Sequence, residues 1–210
     1  MSEPSVVPFV VGFVVGVTPG KWARVWAERL PRHPLELRPL APSDALAALE
    51  SGDVDAAFLR LPVDDETLSA IPLYTETAVV VVPKDHPAEA LDELSLSDLT
   101  GDNVIAGDGP LDWAAAVELV AANVGVAIMP QSVARALSRR DVVSRPLVDG
   151  PESRIALVWP TGKTTELVEE FTGIVRGRTA NSSRGAPTPP TPKEPRRKQA
   201  KPDRRPSRRR

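Results

Sequence analysis

Thr18-Pro19-Gly20 ends a near-continuous run of Val and Phe over residues 9–17 and precedes Trp22, Val25, Trp26 and Leu30 at helical spacing. The run reads as a strand buried on both faces, Thr18 as an N-cap, and Pro19 as part of the first helical turn, where a missing N–H costs nothing. A strand feeding a helix this tightly aims the helix's first free N–H groups, and the positive end of its dipole, at the space beyond the strand's carboxyl end. Ligands bind there in open α/β sheets. The chemistry expected is retention of a small, anionic molecule on Thr18 and the amides that follow it; an ordinary strand-to-helix turn is the other reading.

Few other residues could do chemistry. Lys21 and Arg60 are the cations near the expected site, and Arg60 stands at a strand end where it can point to either face. Glu76, beside a change of element, is either a site residue or part of a salt bridge. Asp64-Asp65-Glu66 follows a proline and reads as a solvated run rather than a paired acid and base. His33 and His86 lie far apart in turns beside Pro34 and Pro87, and the chain has no Cys. No catalytic triad, metal site or cofactor is therefore expected, and thiol chemistry is excluded. Trp22 and Trp26, four residues apart, read as packing ahead of ligand stacking.

The elements that must position these residues follow from periodicity. Residues 34–40 alternate as a half-buried strand with Pro39 at an edge or end, and Ser43-Asp44 starts a helix that presents Leu46 and Leu49 and stops near Gly52. Residues 54–61 form a strand ended by Pro62. The order β-α-β-α-β predicts a parallel sheet with helices on its faces. A strand is expected at 77–82, a short capped helix at 94–99, a weak strand at 103–106, and a turn at 107–110. A helix at 113–122, a strand at 124–129, a helix at 133–137, strands at 142–148 and 154–159, and a final helix capped by Thr164 or Thr165 complete the globule.

At 210 residues the length suits one or two domains. Residues 1–175 carry 13 Lys+Arg against 26 Asp+Glu, whereas 176–210 carry 13 against 2. The chain therefore reads as an acidic globule with a basic, Pro-rich tail that is expected to be disordered. Glu3 and Pro4 do not suit a secretory signal and no membrane span follows, so a cytoplasmic location is expected.

Several phrases together resemble the substrate-binding (effector-binding) domain of LysR-type transcriptional regulators. They are LESGDVDAAFLRLP (49–62), AVVVVPKDHP (78–87), LSLSDLTGDNVI (94–105) and VELVAANVGVAIMPQSVAR (117–135), with the opening strand, the turn at 18–20 and the closing strand and helix. The resemblance covers roughly residues 10–176. It implies the α/β, two-lobed type 2 periplasmic-binding-protein fold, with a first lobe at 8–82 plus 155–176, a second at 83–154, and a tail at 177–210. An effector would sit between the lobes, and the family's positions carried over are Thr18, Pro19 and Gly20; Arg60, Leu61 and Pro62; Thr75, Glu76 and Thr77; Gly107 and Asp108; and Asn123 and Gly125. Trp113 would cap that cleft or fill the second lobe's core.

Two departures stand out. Nothing before Pro8 could supply the family's helix-turn-helix, and between Gly109 and Val117 a helix and strand usual in the family are missing, which shortens the second lobe. The resemblance implies a non-enzymatic small-molecule effector-binding module that dimerises with a second copy. Two alternatives stay open: nonspecific nucleic-acid or acidic-partner contact through 177–210, and an enzyme on the same scaffold.

Overall fold

The computed structural model describes residues 7–105 and 112–178. Gly107, Asp108 and nearly all of the basic tail lie outside them.

The first sheet has the order β2-β1-β3-β9-β4. Its strands are β1 (Phe9–Phe13), β2 (Leu35–Pro39), β3 (Ala56–Leu61), β4 (Leu68–Glu76) and β9 (Ser153–Pro160). β1 pairs in parallel with β2 and β3, as β-α-β-α-β requires, through helices α1 (Gly20–Arg29) and α2 (Ala45–Ser51). The second sheet has the order β6-β7-β5-β8, from β5 (Ala78–Pro83), β6 (Val104–Ile105), β7 (Val126–Pro130) and β8 (Val142–Pro146). Helices α3 (Trp113–Ala121) and α4 (Gln131–Ala136) belong to this lobe, and α5 (Glu166–Val175) returns to the first.

Aromatic packing holds the first lobe together. Phe9 stacks on Trp26 at 4.9 Å between ring centroids, Trp22 stacks on Phe58 at 4.7 Å, and Phe171 meets Phe9, Trp26 and Phe58 at steeper angles. The packing reading of Trp22 and Trp26 holds: Trp26 is buried, and its Nε1–H donates to the His33 carbonyl at 2.7 Å. α2 ends at Gly52, whose φ of 83° needs a glycine. Its buried residues are Ala45 and Leu49, four apart, while Leu46 turns out of the core.

Three expectations need correction. No strand is expected between Pro62 and residue 77, yet Leu68–Glu76 is a nine-residue strand. It pairs antiparallel with β9, from Leu68 opposite Pro160 to Glu76 opposite Ser153, with a register shift between Pro72 and Tyr74. Pro72 hid it, yet an edge strand with an irregularity tolerates the missing N–H. Second, the run 78–82 belongs to the second sheet, where β5 lies between β7 and β8. The passage between lobes is therefore at Thr77, not after residue 82. Third, the N-cap of α1 is Pro19 and no side chain caps the helix. With φ −76° and ψ −4°, Pro19 is already helical, so its carbonyl accepts from the Trp22 and Ala23 amides at 3.0 and 3.1 Å. Thr18 stays outside.

Candidate functional site

Strand order brings together residues far apart in sequence. β9 lies between β3 and β4, so Arg60 on β3, Ser153 at the start of β9 and Glu76 at the end of β4 meet at one end of the sheet. The second lobe adds Ser132 from α4, whose start is fixed by the Gln131 N–H donating to the Thr77 carbonyl at 2.9 Å. The Arg60 Nε–H donates to Glu76 Oε2 at 2.8 Å, and Nη2 donates to Oε1 at 3.2 Å and to Ser132 Oγ at 3.2 Å. Ser153 Oγ donates to Oε2 at 3.1 Å, and the Ser132 hydroxyl donates to Oε1. Among the described residues Glu76 is the one buried charged group, and its side chain is 4% exposed against 16% for Arg60.

Gly16 lets the lobes approach at this point. Its φ is 89°, and a Cβ there would lie 2.5 Å from Ser132 Oγ and 3.0 Å from Arg60 Nη2. Only glycine satisfies both the backbone and the space.

Two cavities flank the cluster. The first, about 980 Å³, is walled by Phe13, Val15, Thr18, Lys21, Trp22 and Tyr74 on one side and by Ser132, Arg135 and Ala136 of the second lobe on the other. Among the described residues its charged lining is Lys21 and Arg135, with no carboxylate, and neither makes an ion pair. Lys21 Nζ lies 4.3 Å from the centre of the Trp22 ring. The Gly20 and Lys21 N–H groups have no acceptor among the described residues. The second cavity, about 610 Å³, lies across the 39–43 loop; Leu46, Leu59, Arg60, Pro62, Asp64, Asp112 and Trp113 line it. Among the described residues Arg60 is its one cation, already committed to Glu76, and Asp64 and Asp112 give that lining an excess of negative charge.

Burial, and then the nearby Glu76 charge, push the Tyr74 hydroxyl above its ordinary value, with Arg60 opposing them. Tyr74 therefore faces the cleft as a neutral hydroxyl at pH 7. It is the chain's single tyrosine, so an absorbance titration reads it alone. The expected midpoint lies above the ordinary tyrosine value, and Glu76→Gln, by removing a negative neighbour, should lower it.

The expected site residues divide. Thr18 lines the first cavity, and Arg60 and Pro62 the second. Pro19 is buried and Gly20 exposed at the start of α1; Leu61 is half-buried; Thr75 and Thr77 are exposed beside buried Glu76. Asn123 and Gly125 do not join them. β5 and β7 pair from Ala78 opposite Pro130 to Val81 opposite Ala127, so the residues before Val126 lie at the far end of the second lobe. There Asn123 lines a separate cavity with Pro83, His86 and Arg139. Gly125 is needed because a Cβ would collide with the Asn103 carbonyl, which accepts from the Val126 N–H at 2.9 Å. Gly125→Ala should cost roughly 1–3 kcal/mol in a denaturant titration and leave binding in the inter-lobe cleft unchanged.

Gly16, Tyr74, Ser132 and Arg135 were missed. The spacing of Ser132 and Arg135, one helical turn apart in PQSVAR, is a signal once the phrase is assigned to the cleft side.

Comparisons with known proteins agree with this architecture. The LysR substrate binding domain model matches residues 20–113 and 111–180. The two matched segments overlap at residues 111–113. The chain is similar to the transcriptional regulator CatR of Pseudomonas putida, at 31% identity over 168 residues covering 67% of this chain and 57% of CatR. It is also similar to a probable hydrogen peroxide-inducible genes activator of Mycobacterium xenopi, at 43% over 61 residues, 29% of this chain and 32% of that one. It thus spans less than two thirds of either relative. Among solved structures, the BenM effector-binding domain with its effector benzoate superposes at a TM-score of 0.65 and 19% identity, covering 80% of this chain and 90% of that one. At that identity the likeness is one of fold.

Proposed function

The chain belongs to the LysR substrate-binding domain family, and from that premise we propose that it is the effector-binding module of a LysR-type transcriptional regulator, holding a small organic anion between its lobes. One observation carries the reading: Lys21 from the first lobe and Arg135 from the second face one cavity that has no carboxylate among its described lining residues. Two cations across an open cleft repel, and an anion between them attracts both. Such a ligand has more favourable contacts when the lobes are closed, which is what a population shift requires. Phe13, Val15, Leu40 and Trp22 supply an apolar wall for its body. Benzoate, the effector named for the BenM domain, has this chemistry. The absence of Cys removes a thiol-based response to peroxide from this chain.

The module acts without catalysis, in the cytoplasm, and as a homodimer; among the described residues no helix is long and apolar enough to cross a membrane. The charge split favours a second role for the tail, as a nonspecific phosphate contact through 177–210. Its test is duplex DNA affinity, which should fall steeply with salt and vanish on deletion of that segment, with cleft binding retained.

For the cleft, a thermal-shift series compares benzoate and short aliphatic carboxylates with their neutral amides. Carboxylates alone should raise the melting temperature. Equal shifts from the amides would remove the anion requirement.

A further inference from the structure

The donors around Glu76 are those of an anion-binding site. Each carboxylate oxygen receives one guanidinium N–H and one serine hydroxyl: Arg60 Nε–H and Ser153 at Oε2, Arg60 Nη2–H and Ser132 at Oε1. Side-on pairing with a guanidinium plus two hydroxyls is a strong, charge-assisted set for a carboxylate. These donors come from β3, from the start of β9 and from α4 of the opposite lobe, so they converge in the floor of the cleft. Arg60 nonetheless also lines the second cavity, where a ligand could approach it.

We infer that Glu76 is an internal occupant of an anion site, its carboxylate filling the place where a ligand's carboxylate would otherwise meet Arg60. Glu76 is thereby a specificity-determining residue. A ligand anion reaching Arg60 must expel a carboxylate that is 4% exposed and has both oxygens satisfied. The anionic end of an effector is consequently directed to Lys21 and Arg135; this last step rests on the reading of the cleft given above. The filled site also fastens the lobes, because Ser132 is the second lobe's contribution to it.

The test replaces the internal carboxylate by an external one. Glu76→Ala opens the position while leaving Arg60, Ser132 and Ser153 in place. Formate, against chloride at equal ionic strength, should raise the melting temperature of this variant by about 3 °C or more, increasing with concentration by mass action. The rise should exceed any that formate gives the wild type or Arg60→Ala/Glu76→Ala, in which Lys21 and Arg135 alone are open to it. No response of Glu76→Ala, or equal responses of all three proteins, would overturn the inference. Should Glu76→Ala not fold in chloride, refolding yield becomes the readout, with Glu76→Gln as a reference of similar size. Yield restored by formate and not by chloride supports the site, and yield indifferent to formate overturns it. No effector is present in either experiment, so the inference can fail while the effector-binding reading stands, and the reverse.

Discussion

Arg60→Ala is expected to lower the free energy of unfolding by about 3 kcal/mol, near the low end of what breaking a buried ion pair costs because Arg60 keeps some contact with water. The loss comes mostly from Glu76. Its carboxylate would stay buried with two serine hydroxyls but without its counter-charge. Replacing both partners, as in Arg60→Met/Glu76→Leu, should cost much less, since no uncompensated charge remains. Urea titrations distinguish the cases: the midpoint of Arg60→Ala should fall markedly at unchanged slope, and the double variant should recover most of the difference. A double variant as unstable as Arg60→Ala would mean that the residues pack rather than pair.

The other large effect concerns affinity. For a carboxylate that binds the wild type, Lys21→Ala and Arg135→Ala should each weaken binding by about tenfold or more, the range of one charge-assisted hydrogen bond. Both side chains are exposed and neither lies in the core, so stability should change little. The two effects should not add. If closure requires one anion to be shared across the cleft, removing either cation already forfeits it, and the double variant should be weakened by less than the product of the two single losses. Fully multiplicative losses would indicate two independent contacts in a rigid site.

Much of the frame was legible because local signals and tertiary context agree. The apolar run before Thr18, helical spacing from Trp22 to Leu30, and Gly52 as a helix stop gave the first lobe's alternating order. The missing pieces depend on partners distant in the chain. β4 is a strand only because β9 arrives to pair with it, and Pro72 removes the local sign of it. The Val run of β5 reads the same in either sheet, so periodicity could not assign its lobe. Thr18 lost the cap because Pro19's own carbonyl takes the first helical bonds.

The candidate site was legible in part for the same reason. Arg60 and Glu76 were both singled out, but that they satisfy each other depends on β9 inserting between their strands and on Ser132 reaching over from the other lobe. Asn123 and Gly125 were carried to the cleft from a phrase whose glycine instead serves packing against Asn103 at the far end of the lobe. Lys21 was noticed as a lone cation. Its counterpart Arg135 becomes visible once α4 is docked on the crossover at Thr77.

The central claim is that an anionic organic molecule binds between Lys21 and Arg135 and contacts both lobes. The most direct measurement is a residue-resolved amide NMR titration of the chain with benzoate and the carboxylates that respond in the thermal-shift series. The account expects saturable shifts at residues 16–21 of the first lobe and 132–136 of the second, at the same ligand concentrations, and their loss together in Lys21→Ala/Arg135→Ala. Shifts confined to one lobe, or clustered around His86, Asn123 and Arg139 at the far end of the second, would contradict it.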